Sequence, residues 1–143
     1  MLSRLNIELL PLSESRAAPD IDPAAFAFLN HLRFVAMDCR VKPRTDLFEA
    51  CALLKVDKAA SRNAHAEALM RCLAEALGKP ARLYAPGVEE FTFDEQWLIR
   101  LGKACTSGDE DSLRFLLSSR VAFENRRFVR FLVGRIAECF YLN

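Results

Sequence analysis

The sequence predicts an all-α fold: a single compact helical bundle of about six helices over residues 22–143, preceded by a short extended N-terminal arm over 1–21. Three observations carry this expectation. Ala and Leu are abundant while Gly and Pro number only five and six, and Ala and Leu lose little side-chain freedom in a helix. Apolar residues recur at helical spacing through most of the chain. Helix start and stop signals bracket each of those stretches.

In the arm, Leu5, Ile7 and Leu9 alternate with Asn6 and Glu8, a strand-like pattern that Pro11 ends. A lone strand needs a partner edge: the arm could pair with its copy in a dimer or lie extended over the helices, and the second is the expectation. Asp22 then reads as an N-cap, with Pro23 at the first helical position. Phe28, Leu29, Leu32, Val35, Ala36 and Cys39 share one face of the helix that follows, and Pro43 stops it. A short helix is expected at Thr45–Leu54. Asp57 caps the next, whose inner face is Ala66, Leu69, Met70, Leu73, Ala76 and Leu77. Gly78-Lys79-Pro80 closes it.

Residues 79–91 form the longest connection, with Pro80, Pro86 and Gly87, and are the place where a subdomain boundary is expected. Thr92-Phe93-Asp94-Glu95 is a capping box. The helix it opens buries Trp97, Leu98, Leu101 and Cys105, and Ser107-Gly108 breaks it. Asp109 or its neighbours start a fifth helix that turns Leu113, Leu116 and Leu117 inward. The last helix runs from Phe123 to about Leu142. The expected core comprises Phe28, Leu32, Leu69, Leu73, Trp97, Leu101, Leu116, Phe128, Leu132 and Ile136.

The chain carries a net charge of +1, which gives no overall field to draw it onto a polyanion. Charge is nevertheless segregated. Seven acids lie between Glu89 and Asp111, and six arginines lie between Arg114 and Asn143. The five cysteines form no CxxC pair and sit in apolar helical patterns, which suits buried thiols in a reducing cytoplasm. No signal peptide is expected, and no apolar run approaches the roughly 20 residues that span a bilayer.

Candidate chemistry is sparse. His31 and His65 are the only histidines. Each has a cysteine seven or eight positions on, Cys72 and Cys39, about two turns away along a helix and too far for a Cys–His nucleophile pair. Neither set has zinc-ligand spacing. No Walker A, GxSxG or GxGxxG motif occurs. No cofactor and no metal are expected, and an enzyme is the third reading.

The functional expectation rests on the last helix. A helical wheel at 100° per residue groups Phe128, Val129, Leu132, Ile136, Cys139 and Phe140 on one arc. Arg126, Arg127 and Arg130 cluster opposite, with Gly134, Ala137 and Tyr141. The leading expectation is a non-enzymatic, cytoplasmic protein-interaction or regulatory module. Its partner, another protein or a second copy, would meet the surface that includes Arg126, Arg127 and Arg130. The bland counterpart is a solvated face paired with the acidic 109–111 segment.

A DNA- or RNA-binding regulator is the alternative, because the last three helices have the outline of a trihelical helix-turn-helix unit. Phe123-Glu124-Asn125-Arg126-Arg127 resembles a five-residue fragment of the homeodomain recognition helix. Ala122 stands where that family has its core Trp, Phe131, Leu132 and Val133 replace its basic tail, and Asn125 falls on the apolar arc.

Overall fold

The computed structural model describes residues 22–39 and 58–141. They form five helices: α1 (Pro23–Cys39), α2 (Lys58–Leu77), α3 (Phe93–Ser107), α4 (Glu110–Arg120) and α5 (Phe123–Tyr141). No strand occurs among the described residues. The all-α expectation holds for the described residues, which carry five helices. The short helix expected at Thr45–Leu54, the cap expected at Asp57 and the arm over 1–21 lie outside the described residues.

Local chemistry sets the helix ends. Asp22 Oδ1 accepts the Ala25 N–H at 2.8 Å, as an N-cap must. Gly78, at φ 81°, ends α2 and donates its N–H to the Ala74 carbonyl at 2.9 Å. The capping box at Thr92–Glu95 is complete in both directions. Asp109 accepts the Ser112 N–H at 3.1 Å and starts α4.

α5 is the central helix and packs against all four others. Its buried face is Val129, Leu132, Val133, Ile136 and Ala137. Of the expected core, Phe28, Leu32, Leu69, Leu73, Trp97, Leu101, Leu132 and Ile136 are buried, whereas Leu116 and Phe128 are half-buried at its edge. Trp97 satisfies its indole N–H on the Leu116 carbonyl at 3.0 Å.

The wheel places Ala137 and Gly134 on the outer, basic side of the last helix, and the structure corrects this. Ala137 is fully buried, and α5 is rolled so that its small residues face α3. The cause is Gly102: a Cβ there would lie 3.1 Å from the Phe28 ring and 3.4 Å from the Ala137 Cβ. Two small residues let the helices approach closely, and the partner they admit belongs to the same chain. Among the described residues, no helix is long and apolar enough to cross a membrane.

Candidate functional site

The site is built outward from a buried charge pair. Glu95 sits at the first turn of α3, where the capping box folds its carboxylate back on the backbone. Its Oε1 accepts the Thr92 N–H at 2.9 Å and its Oε2 the Tyr84 N–H at 2.7 Å. Arg33, from the middle of α1, meets the same carboxylate in a fork, Nε to Oε2 at 2.9 Å and Nη2 to Oε1 at 3.0 Å. Its remaining donors reach Asn30 Oδ1 at 3.1 Å, the Val88 carbonyl at 2.7 Å and the Glu90 carbonyl at 2.9 Å. All five guanidinium N–H groups are therefore satisfied. The rings of Phe26 and Phe91 flank the cation at 5.9 and 5.8 Å. Residues 79–91, where a subdomain boundary is expected from the sequence, are thus fastened to α1 through Val88 and Glu90 and to α3 through Tyr84.

Fastening this connection positions the start of α3. Asp94 there accepts the Arg82 N–H at 2.7 Å and pairs with Arg120, from the end of α4, at 2.7 Å. The Arg120 guanidinium lies between two rings, 5.0 Å from Phe93 and 5.1 Å from Trp97. Trp97 is buried, but Phe93 is 72% exposed. Three residues beyond Arg120, Phe123 opens α5 and is 79% exposed. Arg126 donates Nε to the Val121 carbonyl at 2.8 Å and spreads its guanidinium 5.6 Å from the Phe123 ring. One end of the bundle therefore presents two large phenylalanines, each lying against an arginine.

The three arginines singled out by sequence part company here. Arg126 joins Phe123 at this end. Arg127 is exposed beside it and has no acidic partner among the described residues. Arg130, one turn further on, pairs with Glu110 at 2.7 Å across an exposed gap, in line with the bland solvated-face reading. Tyr141, assigned to the same stripe by the wheel, is half-buried with its ring 5.7 Å from Phe28. The stripe therefore ends at Arg130.

Sequence reasoning misses Phe93 and Arg120. Phe93 lies four positions before Trp97, on the face that periodicity reads as buried, yet it is exposed while Asp94 and Glu95 in the same turn are buried. Arg120 is one arginine among six in its stretch, and nothing local marks its pairing with Asp94.

The remaining titratable groups lie elsewhere. His31 stacks 5.6 Å from Phe140, on whose face Arg62 also sits at 5.3 Å. Burial, with the Arg62 charge second, holds the His31 imidazole below its ordinary pKa. His65 packs edge-on to Phe131 at 5.6 Å. Burial pushes the Cys105 thiol up to about 11, and burial with the Asp22 charge pushes the Tyr141 phenol up to about 12. Among the described residues, no three His, Cys, Asp or Glu side chains converge as metal ligands. Compared with models of protein families, with curated proteins and with solved structures, the chain matches none of them.

Proposed function

We propose that this domain is a non-enzymatic interaction module that docks an acidic protein segment on the surface formed by Phe93, Phe123, Arg126 and Arg127. The observation that carries this reading is the exposure of Phe93 and Phe123 at 72% and 79%, each against an arginine. Aromatic residues and Arg are the types enriched at the energetic centres of interfaces, because they bury much area at little entropic cost. Arg126 keeps its terminal nitrogens for a ligand while its Nε is held by Val121, and Arg127 adds a second cation beside it. Carboxylates fit the two guanidinium groups, and apolar side chains between them fit the rings. Arg130 contributes at the rim, since Glu110 already neutralises it. Five cysteines without a CxxC pair suit a reducing compartment such as the cytoplasm.

Arg planes and phenyl rings also stack unpaired bases, so the nucleic-acid alternative uses the same residues and the experiment carries both arms. Fluorescence anisotropy is measured with labelled peptides that alternate Glu or Asp with Leu or Phe, and with single-stranded and duplex DNA. The expected result is saturable peptide binding that R126A/R127A and F93A/F123A each weaken about tenfold or more, with R130A close to wild type. Binding of DNA but not peptide, with a steep salt dependence, would transfer the site to nucleic acid. Equal peptide binding by wild type and both double variants would remove the surface from consideration.

A further inference from the structure

We infer that the groove between α3 and α4 is a two-fold self-association surface, which seats the same groove of a second copy with Phe115 at the axis.

The groove encloses about 600 Å³ and is lined by Arg100 and Lys103 from α3, and by Asp109, Asp111, Ser112 and Phe115 from the start of α4, among others. All six side chains are exposed, and Phe115 is 68% exposed although it is one of the largest apolar side chains in the chain. The groove thus has an apolar centre with two cations and two carboxylates around it, and no net charge.

The charges are segregated along the groove. α3 and α4 are consecutive helices joined at Gly108, so Asp109 and Asp111 lie at the turn. Arg100 lies seven residues before the end of α3, about 10 Å from the turn along the helix axis. Helical side chains lean toward their own N-terminus. Arg100 and Lys103 therefore lean away from the turn, while Phe115 leans back toward it, which places the ring between the two charged ends. Among the described residues neither Arg100 nor Lys103 has an acidic partner, and Asp111 reaches only Arg114, at 3.7 Å and almost fully exposed. No ion pair among the described residues joins the two ends within one copy.

A two-fold axis through Phe115 joins them twice. It sets the Arg100–Lys103 end of each copy against the Asp109–Asp111 end of the other, with Phe115 on Phe115. Such self-complementarity is what an isologous interface requires. A uniformly basic or acidic groove would repel its own copy, and this one does not. The surface is separate from the Phe93–Phe123 end, so its fate and that of the acidic-segment site are decided independently.

Sedimentation equilibrium on the full chain from about 10 μM to 1 mM, at low and high NaCl, tests this, with helicity by circular dichroism as the folding control. The expected result is a concentration-dependent dimer that weakens with salt. F115D abolishes it, and K103E or D111K alone weakens it about tenfold or more, because each sets like charges together at both ends. The decisive arm mixes K103E with D111K. In a two-fold interface, one end of the mixed dimer sets the introduced glutamate against the introduced lysine. The other end keeps the native Lys103 against the native Asp111, so dimer returns at wild-type strength. A chain that stays monomeric to 1 mM overturns the inference, and so does a dimer that F115D leaves intact. Failure of the mixture to recover dimer overturns the two-fold geometry, and a groove that instead binds mixed-charge peptides as a monomer overturns self-association.

Discussion

Arg33 and Glu95 form a forked ion pair in which neither side chain exposes any surface to solvent, with Nε 2.9 Å from Oε2. Sixty-two positions separate them in the chain, yet between them they hold α1, α3 and the connection running up to Thr92. The pair does not act alone. Glu95 also accepts two backbone N–H groups, and Arg33 also donates to two backbone carbonyls, so removing either residue strands several buried polar groups at once. This is what sets the first turn of α3, and with it Phe93 and Asp94, in a fixed place at the proposed docking end.

Breaking the pair will cost more than any other single polar change. Glu95→Gln or Arg33→Met each leaves an uncompensated buried charge, an effect of about 3–5 kcal/mol. Thr92→Ala, which removes the capping hydroxyl and its hydrogen bond to the Arg82 carbonyl, will cost about 1–2 kcal/mol. Replacing both Arg33 and Glu95 by Leu will not restore stability, because the N–H groups of Tyr84 and Thr92 and the carbonyls of Val88 and Glu90 remain without partners. Urea unfolding followed by circular dichroism reads all four variants. A Glu95→Gln protein as stable as Thr92→Ala would contradict the role assigned to the pair.

The close approach of α3 and α5 gives a second prediction. Gly102→Val pushes two methyl groups into space already taken by the Phe28 ring and the Ala137 Cβ, at 3.1 and 3.4 Å from the first carbon alone. Phe28 is fully buried and held by Phe140 at 6.2 Å and Tyr141 at 5.7 Å. Overpacking of this kind costs about 1–3 kcal/mol. The Val variant will lose that stability in thermal or urea unfolding, whereas Gly78, which has nothing within 4 Å of its ideal Cβ position, is limited only by its positive φ.

What the sequence could disclose follows from how far each feature reaches along the chain. Asp22, Thr92 with Glu95, Asp109, Gly78 and Gly108 mark helix ends by chemistry within four residues, and those ends are legible. Core positions such as Leu69, Leu73, Leu132 and Ile136 follow from periodicity alone. Arg33 cannot be told from any other arginine by its neighbours, because Val88, Glu90 and Glu95 lie 55, 57 and 62 positions away. The roll of α5 is hidden as well: a wheel treats Ala137 as neutral, and only Gly102 on another helix decides that it faces inward. For the candidate surface, Arg126 and Arg127 are legible as an outward stripe. Phe93 and Arg120 are not, since the first shares its helical face with Trp97 and the second depends on Asp94 across the fold.

His31 contributes to the acid limb of stability. Its imidazole is held below the ordinary value of 6.5 by burial and then by Arg62, so the unfolded chain takes up a proton that the folded chain refuses. The His31 contribution to stability therefore falls as pH drops through 6.5 and levels off below the folded-state value. His31→Gln will flatten that limb. Arg62→Met removes the second cause and will raise the His31 pKa, read from the imidazole proton shifts by NMR. An unchanged shift on removing Arg62 would show that the two side chains do not interact.

Cys105 and Tyr141 set the alkaline limb, with the opposite sign. Burial raises the Cys105 thiol from 9.0 to about 11 and the Tyr141 phenol from 10.0 to about 12. For both groups the folded chain keeps a proton that the unfolded chain gives up. Their contribution is complete below about pH 9 and is lost as pH rises through the folded values. Stability will decline from about pH 9 upward, and Cys105→Ala will remove the first part of that decline, between about pH 9 and 11. The same raised value predicts reactivity. At about pH 8 the Cys105 thiolate fraction is on the order of 10⁻³, so iodoacetamide will modify Cys105 far more slowly than a free thiol. Arg130 is the one neighbour that lowers the Cys105 value, so Arg130→Ala will slow the labelling further. Mass spectrometry of the peptide bearing Cys105 follows the rate, and labelling as fast as glutathione under native conditions would place this thiol in water and not beneath Gly134.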